Sequence, residues 1–335
     1  MTETDGLFDL QVNGFGGIDF NDAELRADAF DHALAAMLKT GVTQCLPTLI
    51  TAMEPDLHAR FAALDAAVAN SRLGAVMVPG YHLEGPFLNP GPGFHGCHPP
   101  TAMIAPDIEL LDRLLAELRR PILLITIAPE LPGAEAFIVA ARARGIVVAV
   151  GHSDARHETV SCAAAAGLTL STHLGNGQAP QQHKFDNPLL AQLAEDRLAA
   201  CFIADGLHVP QHVIRVLVRA KGIRRSILVT DAVAAAAAPP GRYGFAGMII
   251  DHGVDGSVRE TRAAALAGSS LTLDQAVRNV VAWGVCTFDE AVQMASANPR
   301  AALAAVAGHH RIVLPPGRIT WTVERQVNAA SLGVE

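Results

Sequence analysis

Eight short runs of aliphatic and β-branched residues recur along the chain, and stretches with helical periodicity separate most of them. They are GLFDLQV near the start, GVTQCLPTLI from Gly41, AVMVPGYHL from Ala75 and PILLITIAPE from Pro121. GIVVAVGHS from Gly145, GLTLSTHLG from Gly167, LAACFIADG from Leu198 and RSILVTDA from Arg225 complete the set. Each is close to continuously apolar rather than alternating, as expected of parallel strands covered on both faces. Between them lie patterns such as DAFDHALAAMLKTG and GAEAFIVAARARG, the second closed by a Gly suited to a helix C-cap. Eight β/α units in this order predict an α/β fold, a (β/α)8 TIM-type barrel. A doubly wound open sheet is the competing arrangement, but no Gly-rich phosphate fingerprint follows the first run.

Composition narrows the function classes. Half of the 335 residues are hydrophobic and only 17% are charged, which fits a large packed core. The net charge is −8 and no run of Lys or Arg stands out, so neither nucleic acid nor a membrane surface is an expected partner. The start, MTETDG, has no basic segment followed by an apolar one, and other apolar stretches are broken by Gly, Pro or charge. Five scattered cysteines, an odd number, point to free thiols and a cytoplasmic location.

In a barrel of this kind chemistry gathers at the carboxyl ends of the strands. Those ends carry Gln11 and Asn13, then Glu84, His152, His173, the turn with Asp205 and His208, and Asp231. One such residue alone would be an ordinary loop or core residue; their recurrence at a single position is not. One Glu and two His are a standard ligand set for a catalytic divalent metal. Glu84, His152 and His173 supply it from three different strands. A carboxylate beside the metal's water could move its proton to a leaving nitrogen, the role open to Asp231. His208 could donate to substrate or to developing negative charge. These parts describe metal-assisted hydrolysis of an amide and leave the substrate open.

The segments DLQVNGFGGIDFND, HLEGPFLNP, ITIAPE, GHSDA, STHLGNG, IADGLHV, LVTDA and LAGSSLTLDQAVRN resemble, in order, successive signatures of N-acetylglucosamine-6-phosphate deacetylases of the amidohydrolase superfamily. The resemblance covers roughly residues 7 to 305. It implies one metal on Glu84, His152 and His173, usually zinc, with iron, manganese or cobalt also able to occupy such a set. It makes Asp231 the general base and acid and His208 a substrate-contacting residue. Many amidohydrolases carry two first-strand His residues for a second metal; Gln11 and Asn13 stand there instead, as in one-metal deacetylases. For the substrate the resemblance implies Asn176, Gly177, the backbone of Leu266, Ala267 and Gly268, and a loop His, assigned to His98 with His95 as the alternative. It also implies a homodimer in which a loop of one subunit completes the neighbour's phosphate site.

Three features depart from the family pattern. No cation precedes the loop His in NPGPGFHGCH, and where an Arg would grip phosphate QAPQQHKFDNP offers His183 and Lys184, a point charge without a guanidinium fork. The ends are short, so residues 1–6 and 306–335 read as remnants of a small β-sandwich beside a barrel over 7–305. In the tail, RIVL and RITWTVE are expected to form a hairpin. The loop after Asp231, DAVAAAAAPPGRYGFAG, is an Ala-rich variant, and residues 242–262 read as a β excursion above the eighth strand. SSLTLDQAVRNVVAWG and TFDEAVQMASANPRAALA read as capped amphipathic helices. The resulting expectation is a deacetylase of an N-acetyl amino sugar 6-phosphate. An amidohydrolase on a neutral or cyclic amide, and a catalytically silent sugar-binding barrel, are the other readings.

Overall fold

The structure, a computed structural model, describes residues 1–261 and 265–333. The chain opens with β1 (Thr2–Asp5) and β2 (Leu7–Val12), then a small hairpin of β3 (Gly14–Phe15) and β4 (Ile18–Asp19). The β/α units follow as α1 (Ala27–Lys39), β5 (Val42–Ile50), α2 (Glu54–Asn70), α3 (Gly74–Met77), β6 (Tyr81–Glu84), α4 (Ile108–Glu117), β7 (Ile122–Ile127) and α5 (Ala134–Ala143). They continue with β8 (Val147–Val150), α6 (His157–Ala166), β9 (Leu170–Ser171), α7 (Pro188–Ala194), β10 (Ala199–Ile203), α8 (Gln211–Lys221) and β11 (Ser226–Val229). Beyond lie β12 (Gly241–Phe245), β13 (Met248–His252), β14 (Val258–Glu260), α9 (Leu273–Ala282), α10 (Phe288–Ala295), α11 (Ala297–His309), β15 (Arg318–Trp321) and β16 (Val327–Ser331).

Eight parallel strands stand in the order β2, β5, β6, β7, β8, β9, β10, β11, which is their order in the chain. The two edges meet through a Val12–Ala232 bridge, with Asn13 N donating to Ala232 O at 2.7 Å and Asp231 N to Gln11 O at 2.9 Å. This is the expected TIM-type barrel, and its strands are buried almost throughout, which accounts for their continuous apolar character. Thr287 caps α10 in a reciprocal box with Glu290. Thr272 precedes α9 as expected, but its side chain makes no capping bond. Among the described residues no helix is long and apolar enough to cross a membrane.

Two local expectations fail. The run from Ala75 opens with the helical turn α3, because Ser71 Oγ accepts from Gly74 N at 2.9 Å and Asp31 accepts from Leu73 N at 2.8 Å; the strand starts only at Tyr81. RIVL is not a strand. It runs into Pro315 and Pro316, which have no N–H for a ladder. Instead β15 pairs with β16 on one side and with β1, from the acidic start of the chain, on the other. Trp321 anchors this three-stranded sheet, fully buried against Phe288 and donating to Thr4 Oγ1 at 2.8 Å. Since α11 runs to His309, residue 305 lies inside a helix rather than at a break.

The β excursion forms as the antiparallel sheet β12–β13–β14, with residue 262 outside the described residues. Its inner side chains Phe245, Ile250 and Val258 pack with Ile50, Val233, Ala235 and Ala267 into a second small core. The Ala-rich loop now has a physical reason. Gly16 N and Gly17 N donate to Ala236 O and Ala234 O, both at 2.8 Å, which pins the loop to the turn between β3 and β4. Ala232 to Ala236 are all buried, Val233 and Ala235 against that sheet and Ala232 and Ala236 in the main core.

Candidate active site

Every strand-end residue singled out above faces one mouth of the barrel. Glu84 is the last residue of β6, whereas His152, His173 and Asp231 each stand two residues past the end of β8, β9 and β11. All three have positive φ, at 51°, 28° and 51°. A side chain held there costs about 1–2 kcal/mol, and His and Asp are among the types that accept it. The backbone leaves its strand abruptly at these points.

The three imidazoles converge on the Glu84 carboxylate, which is buried. His173 Nε2 lies 2.9 Å and His152 Nε2 3.4 Å from Oε1, and His98 Nε2 lies 3.7 Å from Oε2. His152 Nδ1 donates to Phe94 O at 2.6 Å, which turns Nε2 towards Glu84. That buried Nε2 has no hydrogen-bond partner, nor has His173 Nδ1. Glu84, His98 and His152 present ligand atoms all within 4.8 Å of one another, so this donor set fits a divalent cation. Burial pushes the Glu84 carboxyl up, but the neighbouring imidazoles of His152, His173 and His98 outweigh it and hold it well below the usual range.

Asp231 faces the same carboxylate through an amide bridge. Gln11 Nε2 donates to Glu84 Oε2 and to Asp231 Oδ1, both at 3.1 Å, and Asn13 Nδ2 donates to Asp231 Oδ1 at 2.7 Å. The two amides of the first strand hold two carboxylates that would otherwise repel. Burial, and next the Glu84 charge, raise the Asp231 carboxyl to about 6, where it can both take and release a proton near neutrality. His208 Nδ1 lies 2.6 Å from Asp205 Oδ2, so Asp205 orients the ring.

A cavity of about 300 Å³ opens over these groups. Its lining includes Glu84, His98, His152, His173, Asn176, Gly177, His208, Asp231, Leu266 and Gly268. Ala267 is buried beside it, in the small core under β12–β14. His95 lines an adjoining space of about 500 Å³ that shares Cys97 and His98 with the first. Lys184 is not in the lining; its Nζ stands 5.2 Å over the exposed Phe185 ring. Ile50, Cys97, Gln178 and Phe245 also line the cavity and were not singled out from the sequence. Phe245 reaches it only because β12 folds back over the mouth, which no local pattern announces.

A polar layer beneath the site was also missed, although a signal existed. Asp9 alternates with Gln11, so both point to one face of β2, and His82 does the same with Glu84 on β6. Asp9 accepts from Thr230 Oγ1 at 2.6 Å and from Thr230 N at 3.2 Å, immediately before Asp231. Burial raises its carboxyl to about 7 against those bonds. His82, kept neutral by burial, joins Thr48 and Thr126, and Thr126 joins Thr172, in one chain across the barrel.

No protein-family model matches the chain. Among curated proteins it is 32% identical over 294 residues to an N-acetylglucosamine-6-phosphate deacetylase of Lysinibacillus sphaericus, covering 88% of this chain and 74% of that one. It is 34% identical over 292 residues to an N-acetylgalactosamine-6-phosphate deacetylase of Escherichia coli O157:H7, covering 87% and 75%. Among solved structures it is similar to an N-acetyl-D-glucosamine-6-phosphate deacetylase mutant of Mycobacterium smegmatis in complex with N-acetyl-D-glucosamine-6-phosphate. That match has a TM-score of 0.88 and 30% identity and covers 100% of this chain and 86% of the other.

Proposed function

The chain belongs to the N-acetylglucosamine-6-phosphate deacetylase family, and from that premise we propose that it hydrolyses the acetamide of N-acetylglucosamine 6-phosphate to glucosamine 6-phosphate and acetate. The observation that carries this reading is the buried Glu84 carboxylate, met by the partnerless Nε2 of His152 and by His173 and tied through Gln11 to Asp231. Glu84, His152 and His173 would hold one divalent metal, read as zinc, which when bound polarises a carbonyl and lowers the pKa of water. Asp231, with Oδ1 occupied by Gln11 and Asn13, uses Oδ2 to take the proton of the attacking water and later passes it to the departing amine. His208, oriented by Asp205, and His98, whose Nδ1 pairs with Thr51 Oγ1 at 2.9 Å, donate to substrate oxygens.

Asn176, Gly177 and the backbone segment of Leu266, Ala267 and Gly268 frame the sugar and its acyl group, and His95 and Lys184 stand further out towards its phosphate. The protein is read as a cytoplasmic homodimer, with five free thiols in keeping with a reducing compartment. The sheet of β1, β15 and β16 is read as what remains of the family's small β domain. The test is acetate release by metal-loaded protein from N-acetylglucosamine 6-phosphate and from N-acetylglucosamine in parallel. Strong preference for the phosphate is expected; turnover of neither would overturn the assignment and leave the site to another amide.

A further inference from the structure

Glu130 closes the ITIAPE run after β7, and nothing described so far gives it a task. Its carboxylate accepts three hydrogen bonds from two neighbouring loops. On Oε1 it receives Asn89 Nδ2 at 2.8 Å and the backbone N–H of Asp154 at 2.6 Å; on Oε2 it receives Ser153 Oγ at 2.6 Å. Asn89 belongs to the loop after β6, and Ser153 and Asp154 directly follow His152 after β8. The circuit closes because Asn89 N donates to His152 O at 3.1 Å. Ser153 Oγ in turn accepts from Ala155 N at 3.0 Å, so its hydrogen is committed to Glu130.

This joint grips the segment where His152 sits at φ 51°. A residue in that conformation persists only when its surroundings over-determine it. Glu130 fixes the backbone on the carboxyl side of His152, and Asn89 fixes its carbonyl. From the far end of the same loop, Phe94 O fixes the ring. We infer that Glu130 is a positioning residue: through Asn89, Ser153 and Asp154 it sets where His152 Nε2 stands against Glu84. Glu130 itself touches neither ligand. The inference rests on reading His152 as a metal ligand.

The test is metal affinity, by competition with a chromophoric chelator, and the cobalt(II) ligand-field spectrum of Glu130→Ala and Glu130→Gln, with no substrate present. Outer partners of ligands govern affinity by about 10- to 100-fold, and a loss of that size with an altered cobalt spectrum is expected for Glu130→Ala. Glu130→Gln should recover most of it, since its oxygen can still accept from Asn89 and Asp154 while its amide donates to Ser153 Oγ. A native affinity and spectrum in Glu130→Ala would overturn the inference, whatever happened to its thermal stability. Should that variant fail to fold, Ser153→Ala removes one of the three bonds, and an unchanged affinity there overturns it equally. His152→Ala separates the two readings. If it binds metal as tightly as the native chain, the metal-centre assignment itself falls; if it loses metal while Glu130→Ala does not, only the role of Glu130 falls.

Discussion

Gly177→Ala should damage the proposed metal centre far more than the fold. A Cβ built at Gly177 lies 2.7 Å from His152 Nδ1, 3.0 Å from Cε1 and 3.1 Å from Cγ. Ordinary contact begins at 3.4 Å, so the ring must retreat by about 0.7 Å (3.4 − 2.7) along the closest vector. Little room receives it. The His98 ring centroid lies 4.4 Å away, His173 4.9 Å, and a Cβ at Gly96 would already stand 3.1 Å from His152 Cε1. Retreat also strains the 2.6 Å bond from Nδ1 to Phe94 O. Gly177 has φ 59°, so the backbone alone costs about 1–2 kcal/mol, a few degrees of melting temperature. A misplacement approaching 1 Å in a ligand is worth about 100-fold in turnover. Gly133→Ala is the control, because φ there is 83° and nothing lies within 4 Å of its Cβ. Calorimetry should find Gly177→Ala destabilised by about 1–3 kcal/mol beyond Gly133→Ala, the cost of the crowded ring, with metal content and acetate release falling only in Gly177→Ala. Native metal content and turnover in Gly177→Ala would refute the argument that this glycine exists to let the imidazole in.

Asp231→Asn keeps an oxygen for Gln11 and Asn13, so metal content should hold while turnover falls by about 10²- to 10⁴-fold; retained turnover would remove Asp231 from the proton path. Asp9 should make the protein less stable as pH rises. Its carboxyl stands near 7 in the fold against 3.8 unfolded, so between those values the unfolded chain gives up a proton that the fold retains, at up to about 1.4 kcal/mol per pH unit. The melting-temperature difference between Asp9→Asn and the native chain should therefore move in the variant's favour from pH 4 to pH 7, and a constant difference would refute it.

The barrel and the inner ring of the site were legible because each rests on a local signal. Unbroken apolar runs mark strands covered on both faces, and the barrel's geometry then puts the residue after each run at one mouth. Glu84, His152, His173 and Asp231 could be listed without knowing a single distance. What failed locally failed for local reasons. The capping by Ser71 and Asp31 turned the Ala75 run into a helical turn, and two prolines kept RIVL out of the sheet. What stayed hidden depends on distant parts meeting. Cys97 and Phe245 reach the cavity from a loop and a sheet whose placement no periodicity encodes. Glu130 is an unremarkable loop acid until the Asn89 and Ser153 loops are brought to it. Asp9 and His82 lay between these cases, since their alternation with the candidate residues Gln11 and Glu84 could be read but was not.

Three residues of the site leave their strands in the left-handed region, and this bears on how the protein would age if its chemistry were no longer needed. At those positions the proposed chemistry would hold side chains that a folding chain would exchange for glycine or asparagine. Released from that demand, His152, His173 and Asp231 would drift towards such residues and the metal-free protein would gain stability with each exchange. A silent descendant of this barrel would be recognised by which residues it had relaxed first, with its strands left intact.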